Sequence, residues 1–582
     1  MNEADTLSPL LIPCSSQSTE SNKTGSWRFL RPQFDEKTSP CSATCPAGED
    51  IARIEMLSAQ GSFKEAWEMI LQENPFPGVC GRVCPHPCEG VCNRREFDEA
   101  IAIHSIERFL AETAGRYDLK PILTRLAAKK QRIAIVGAGP AGLSAAYFLA
   151  LLGYSCDVFE AMPEPGGVLR WGIPVYRLPL AALRSDIANI EAQNVRILTG
   201  QKIGSEFLQD AAGRYDAVFM GCGHSRTVKL GVPGEKTNAI ENGLQFLGQL
   251  RQGNTIPLLG VSAVIGGGNT AIDVARSVIR CGGKAVILYR RRRRDMPAFE
   301  EEVQMGIEEG VELRELVTPL GITTDGAQYT LTLQEMKISG EDSRGRANIL
   351  PDEGKTRELR VERVFKATGA EPAEDWYNPP DKTKVSLTLS HTILISPESG
   401  PALAFGGDLT NETKSVAHAV ASGKQAAMAL DIFFHGGMEA IVPKLAECRV
   451  GQGPSLSMEM YMEGSRRLRN THVVSYEEIN TDHFQFQPRI TRPRLLKEER
   501  RTSFKEIDLK ISTNLAIREA ERCFNCGICN QCDNCYMFCP DIAVIREKNN
   551  NERHINYDYC KGCGLCVVEC PRNAMTLREE DI

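Results

Sequence analysis

The stretch that most limits the fold is RIAIVGAGPAGLSAAYFLALLGYSCDVFE, residues 132–160. An apolar run, Ile133 to Val136, has the length and composition of a buried parallel strand. It breaks into Gly137, Gly139 and Gly142, after which apolar residues recur at helical spacing. A second strand, Ser155 to Phe159, ends in Glu160. In such a strand–turn–helix the first glycine permits the tight turn and the second lets backbone approach a pyrophosphate. The third lets helix and strand pack closely. The helix start offers N–H groups and a positive dipole end to phosphate, and an acid placed as Glu160 is meets a ribose hydroxyl. An ordinary glycine turn accounts for neither the spaced acid nor the Pro-Ala insert. The segment reads as a dinucleotide site in an α/β domain.

A chain of 582 residues is expected to hold three or four domains rather than one core. Its 68 basic and 75 acidic residues, net −7, argue against nucleic acid as the main partner. No apolar run reaches the roughly 18 residues of a membrane span. The polar stretch 1–40 lacks a signal-peptide core, so a cytoplasmic location is the default expectation. In that reducing compartment 21 cysteines cannot be a disulfide framework, and their clustering points to metal.

A second turn follows in SAVIGGGNTAIDVARSVI, with Gly266, Gly268 and Ala271 as GxGxxA and Asn269 inside it. Its second strand, Ala285 to Tyr289, ends in five arginines, Arg290 to Arg294, where an acid would stand for NAD. Arginine attracts the phosphate that an acid would repel. Five like charges also suit a solvated surface, but their position favours a 2′-phosphate, hence NADPH over NADH, with Arg290 and Arg291 as contacts. The flavin and nicotinamide segments hold only the isolated Cys156, Cys222 and Cys281. These are expected as small buried side chains, so disulfide-reductase chemistry is not expected.

The remaining thiols cluster at both ends. Cys41 and Cys45 stand in CSATCP, and Cys80, Cys84, Cys88 and Cys92 in VCGRVCPHPCEGVC. Their three-residue gaps and Cys-Pro pairs suit iron–sulfur cubes better than zinc. At the C-terminus two CxxCxxCxxxCP runs carry the bacterial ferredoxin signature, in which the last cysteine of each run crosses to the other cluster. That assigns Cys529, Cys532, Cys535 and Cys570 to one cube, and Cys560, Cys563, Cys566 and Cys539 to the other. Cys523 and Cys526 are left over.

VCGRVCP, CEG and IHSIERFL resemble the N-terminal iron–sulfur domain of the glutamate synthase small subunit and dihydropyrimidine dehydrogenase. The resemblance runs to about residue 430. It implies a cube on Cys45, Cys84, Cys88 and Glu107, and a second that takes Cys41 and Cys92, with Cys80 not a ligand. PGGVLRWGIPVYRLPL, with Gly166 and Gly167, resembles the family's flavin loop. In AFGGDLTNETKSVAHAVASGKQAA, Gly407 and Asp408 are then implied at the ribityl or phosphate groups and Val416 at the pyrimidine end of the ring, making the first dinucleotide FAD. The family normally carries RCxxC just ahead of CxxxCP, and here only Cys14 precedes Cys41. FKEIDLKISTNLAIREAERCFNC resembles that missing context, displaced to the C-terminal side. We therefore expect Cys523 and Cys526 to complete a cube with Cys41 and Cys92, making four [4Fe-4S] clusters; two spare thiols beside a ferredoxin are the alternative. The ferredoxin segment also resembles that of 2-oxoacid:ferredoxin oxidoreductases. The pyrimidine-reducing barrel needs about 250 residues, too many for the interval available, which excludes that reaction.

The expected architecture is α/β. Two Rossmann-like domains bind FAD (126–255 and 365–435) and NADPH (256–364). A helical iron–sulfur domain (39–125) precedes them and a bacterial-ferredoxin-like domain (521–582) follows. Residues 1–38 read as a tail or an arm on a partner, and 436–520 as a linker. The expected function is that of an NAD(P)H:ferredoxin or acceptor oxidoreductase subunit. It passes electrons between NADPH, FAD and clusters to redox partner subunits, a ferredoxin or a 2-oxoacid oxidoreductase-like complex, without a catalytic acid, base or nucleophile. The alternatives are a glutamate synthase small subunit and a non-catalytic electron-transfer and assembly subunit. The first does not need the added ferredoxin, and the intact Gly266, Gly268 and arginine run speak against the second.

Overall fold

The computed structural model describes residues 21–580 apart from 236–239, 255, 327, 344, 379–385 and 548–551. Cys14 lies outside the described residues. The chain divides into two compact units. The larger is Thr38–Val473 with Phe486–Cys523; the smaller is Met1–Lys37 with Val474–Gln485 and Phe524–Ile582.

The larger unit begins with short helices. Helix α1 (Ile51–Ala59) and the helices Phe63–Glu73 and Ile103–Arg116 bury Ile54, Trp67, Ile70, Ile106 and Phe109 in one cluster. The first nucleotide domain follows. Its sheet has seven strands in the order Ser386–Thr388, Ile393–Ile395, Ala402–Phe405, Ala217–Met220, Arg132–Val136, Ser155–Phe159 and Arg196–Leu198. The last five are parallel. Arg132–Val136 and Ala217–Met220 are apolar and buried almost throughout, as strands covered on both faces must be. Helix α2 (Pro140–Leu151) leaves the first glycine turn.

The second nucleotide domain has five parallel strands in the order Glu312–Glu315, Lys284–Tyr289, Val261–Ile265, Arg363–Lys366 and Ile240–Asn242. It therefore starts before residue 256, because the three-residue strand Ile240–Asn242 and helix Gly243–Arg251 belong to it. Helix α3 (Asn269–Arg280) leaves its glycine turn and packs beside α4 (Glu300–Glu309). Arg276 and Arg280 of α3 are fully buried on the fully buried Glu309 of α4, at 2.8 and 2.7 Å. Arg177, in the loop after Gly167, pairs with Asp273 of α3 at 2.8 Å, and Tyr176 lies 3.9 Å below the Arg280 guanidinium. The flavin-side loop and the nicotinamide-side helix are thus tied through buried charge. Removing one partner of such a set leaves an uncompensated ion, at a cost of about 3–5 kcal/mol. Glu309→Ala is expected to lower the urea midpoint markedly, whereas Arg276→Met lowers it less, because Glu309 keeps Arg280. Equal midpoints for wild type and Glu309→Ala would count against this reading.

The long helix α5 (Val416–Gly436) closes the first domain against α2. The interval expected as a linker is packed into the main core: Ile441, Leu445, Cys448, Leu456 and Met458 join the main apolar cluster. Two short helices, Ile441–Ala446 and Met458–Tyr461, and the turns between them bury these residues, and elements this short show no sustained period in the sequence. Helix α6 (Thr513–Glu521) buries Ala516 among Ile54, Trp67 and Phe109. In the smaller unit, Leu30–Phe34 pairs antiparallel with Met575–Glu579, so part of the expected tail is a strand of this unit. No helix of the described residues is long and apolar enough to cross a membrane.

Candidate functional site

A cavity of about 590 Å³ opens at the C-terminal ends of the first domain's parallel strands, where α/β folds bind ligands. Gly137, Gly139, Glu160, Gly167, Gly407 and Asp408 all line it, and so does Ala419 of α5. A Cβ on Gly142 would fall 1.9 Å from the Gly137 carbonyl oxygen, whereas one on Gly139 would meet its nearest heavy atom only at 4.0 Å. Gly142 is thus required by packing, whereas the protein leaves room for a side chain at Gly139, which faces the cavity. The Glu160 carboxylate accepts from the N–H groups of Ala138 and Met162, each at 2.8 Å, and so fixes the turn as well as facing the cavity. Burial pushes the Asp408 carboxyl up, while Lys414 and His224 draw it back down.

Gly166 does not line the cavity; its N–H donates to the Ala138 carbonyl at 2.8 Å and braces the turn. Val416 is the first residue of α5, whose cap is the Ser415 hydroxyl accepting from the His418 N–H. Its own N–H is therefore among those a helix start leaves unsatisfied. Sequence reasoning missed Trp171, Lys202, His224 and Tyr377 on the cavity wall. The Trp171 indole N–H is buried without a partner among the described residues, a donor left open to an acceptor in the cavity. Its only signal was an aromatic residue in the Gly166–Gly167 loop. Cys222 also reaches this wall, and burial pushes its thiol up to about 12.

At the second turn a Cβ on Gly268 would meet nothing within 4 Å, so this position too is open. Ala271 is fully buried and serves packing. The Asn269 side chain accepts from the Phe299 N–H at 3.0 Å and holds the start of α4. The five arginines divide. Arg292, Arg293 and Arg294 pair with Asp295, Glu300 and Glu341. Arg291 spends one donor on the Ala347 carbonyl at 3.0 Å, and Arg290, exposed just past the strand end, has no polar partner among the described residues. Arg290 and the rest of the Arg291 fork are uncommitted among the described residues.

The N-terminal thiols share one environment. Cys41, Cys45 and Cys88 are buried in the main cluster, with Cys84, Cys92 and Cys523 against it. Cys80 is buried there too. Glu107 is buried and accepts from the Asn74 amide at 3.3 Å; burial, reinforced by Glu49, pushes its carboxyl well up. A buried set of thiols with one carboxyl suits a cationic iron centre, which favours the ionised form of each donor. Cys523 closes the larger unit, three residues before the buried Cys526, which belongs to the smaller one.

In the smaller unit Cys529, Cys532, Cys535 and Cys570 ring one cavity. Cys539, Cys560, Cys563 and Cys566 ring another. Each ring takes three thiols from one run and the last from the other. Among the described residues no three His, Cys, Asp or Glu side chains are drawn together as around a single metal ion, and no cysteine forms a disulfide.

Residues 131–423 match the pyridine nucleotide-disulphide oxidoreductase family. Residues 34–118 match the 4Fe-4S domain II of dihydropyrimidine dehydrogenase, and 553–576 match a 4Fe-4S binding domain. Fold, sites and matches define an NADPH-dependent, FAD-containing iron–sulfur oxidoreductase. The chain is 32% identical over 519 residues to the NADPH-Fe(3+) oxidoreductase subunit beta of Geobacter sulfurreducens, covering 85% of this chain and 76% of that one. It is 32% identical over 520 residues to the NADP(+)-dependent formate dehydrogenase subunit beta of Moorella thermoacetica (84% and 70%). The glutamate synthase [NADPH] small chain of Escherichia coli is 32% identical over 414 residues (66% and 87%). The chain belongs to the pyridine nucleotide-disulphide oxidoreductase family and, within it, to the iron–sulfur flavoproteins related to these NADPH-linked subunits.

Proposed function

We propose that this chain is the NADPH-handling subunit of a larger redox complex, distributing electrons from one flavin to a terminal pair of cubes. The observation that carries the reading is a single chain with a glycine-lined nucleotide cavity and, separately, two crossed cysteine rings. When bound, NADPH and FAD supply two-electron chemistry and the cubes supply one-electron relay. The protein binds and orients. Gly139 and Gly167 admit a pyrophosphate, Glu160 takes a ribose hydroxyl, and Gly407, Asp408 and the α5 start at Val416 hold the rest of FAD. Gly266, Gly268 and Asn269 form the NADPH turn, with Ala271 packing its helix and Gly166 bracing the flavin turn.

The cubes are assigned to Cys45, Cys84, Cys88 and Glu107; to Cys529, Cys532, Cys535 and Cys570; and to Cys539, Cys560, Cys563 and Cys566. The fourth assignment, Cys41, Cys92, Cys523 and Cys526, rests on the ligand count and on Cys523 returning to the N-terminal thiols with α6. The partner is a subunit that takes electrons from the ferredoxin-like module, of the 2-oxoacid oxidoreductase kind or another. Relatives named as beta subunits or small chains of multi-part oxidoreductases support that reading. Anaerobic co-purification tests it, and recovery of a glutamate synthase large chain would favour the small-chain alternative.

Coenzyme choice is the direct test of the nucleotide assignment. A lost charge-assisted contact costs about 1.5–3 kcal/mol, roughly ten- to a hundredfold. NADPH is expected to bleach the flavin at a correspondingly lower concentration than NADH, and Arg290→Ala is expected to erase most of that advantage. Equal concentrations for both coenzymes in the wild type would refute the arginine assignment.

A further inference from the structure

The side chain of Lys424, on α5, is 1% exposed. Its ammonium donates to the carbonyls of Ala47 and Leu456 and pairs with Glu73. Ala47 and Gly48 belong to the turn after Cys45, closed by the Gly48 N–H donating to the Cys45 carbonyl at 2.8 Å. A Cβ on Gly48 would stand 3.5 Å from the lysine nitrogen. On the same helix, Ala419 lines the flavin cavity. At about 1.5 Å per residue, that wall is roughly 7.5 Å along the axis from Lys424. A buried cation thus stands where the flavin wall meets the Cys45 turn.

The charge is not cancelled locally. Glu73 is shared with Arg466, whose guanidinium lies 3.4 Å away, and with the Ser457 hydroxyl. Two cations therefore gather on one carboxylate. Stability alone is a weak reason for such a group, since well-packed apolar residues generally do as well in its place.

We propose that Lys424 sets the potential of the cube assigned to Cys45, Cys84, Cys88 and Glu107, making it easier to reduce. The inference rests on that cube assignment. An electron entering the cube from the flavin would add one negative charge, and the Lys424 ammonium, paired with Glu73, would favour the reduced form. In a poorly screened interior that preference is large. Glu73 and the carbonyls of Ala47 and Leu456 hold the lysine in place.

The test is an EPR-monitored redox titration of the full chain, with iron and FAD measured in every variant. The relevant signal is the one Cys45→Ser removes. In Lys424→Met that cube is expected to become harder to reduce, at least tenfold in its reduced-to-oxidised ratio, about 59 mV for one electron. The cubes of the C-terminal rings should keep their potentials, and Lys424→Arg should restore the wild-type value. Glu73→Gln, which removes the negative partner and leaves both cations, should shift the same signal the opposite way. A lysine that only ties segments together predicts no such opposition of sign. Unchanged potentials in Lys424→Met and Glu73→Gln at full iron, or shifts of the same sign, overturn the proposal. If Lys424→Met loses iron, Glu73→Gln decides alone: an upward shift supports the proposal and any other result overturns it. A wild-type protein with no signal that Cys45→Ser removes overturns the cube assignment as well, and its iron count distinguishes that failure.

Discussion

Gly139→Val is expected to yield a protein without FAD, whereas Gly268→Val keeps the yellow chromophore and loses its bleaching by NADPH. Both positions are open to a side chain as far as the protein is concerned: the nearest heavy atom to a Cβ is 4.0 Å away at Gly139, and none lies within 4 Å at Gly268. The added bulk therefore meets the nucleotide rather than the fold. A pyrophosphate bound through backbone N–H groups needs approach to main-chain distance, and a branched Cβ prevents it. Gly142→Val is the contrasting control. Its Cβ would strike the Gly137 carbonyl at 1.9 Å, so it should lower the yield of folded protein irrespective of FAD. Absorbance of the bound flavin, with circular dichroism to follow folding, separates the three. If Gly139→Val and Gly268→Val behave alike, the division of labour between the two glycine turns is wrong.

These turns were legible in sequence because every requirement is local: a strand, a turn without Cβ and a helix start lie within one short stretch. The cysteine rings were legible for a related reason, since ligand spacing within a run is fixed by the cube itself. What escaped depends on contacts between distant segments. Trp171, Lys202, His224 and Tyr377 reach the flavin cavity from four separate segments that share no pattern. The three-residue strand Ile240–Asn242 is too short to show a period, so the second domain was placed too late in the chain. Leu456 and Met458 are core residues in an interval that reads as polar and irregular. The arginine run follows the strand Lys284–Tyr289, and only the folded chain separates Arg290 from Arg292, Arg293 and Arg294, which are committed to acids.

The crossed assignment of the C-terminal thiols makes a prediction about pairs of substitutions that no single substitution can make. Cys570 rings a cavity with Cys529, Cys532 and Cys535, although its sequence neighbours Cys560, Cys563 and Cys566 ring the other with Cys539. Each iron of a cube needs its own ligand, so loss of one thiolate should cost the whole cube, about four iron atoms. Cys570→Ala combined with Cys529→Ala should then lose no more iron than either change alone, about four. Cys570→Ala combined with Cys566→Ala should lose about eight, despite the closer spacing of those two residues in the chain. Uncrossed ligation predicts the reverse in both cases. The same logic reaches the thiols whose assignment rests on counting. If Cys523 shares a cube with Cys41, the double change removes about four irons, and if Cys523 is spare, its substitution alone removes none. Iron and acid-labile sulfide per FAD, measured on anaerobically prepared protein, distinguish these outcomes, because the alternatives differ by an entire cube.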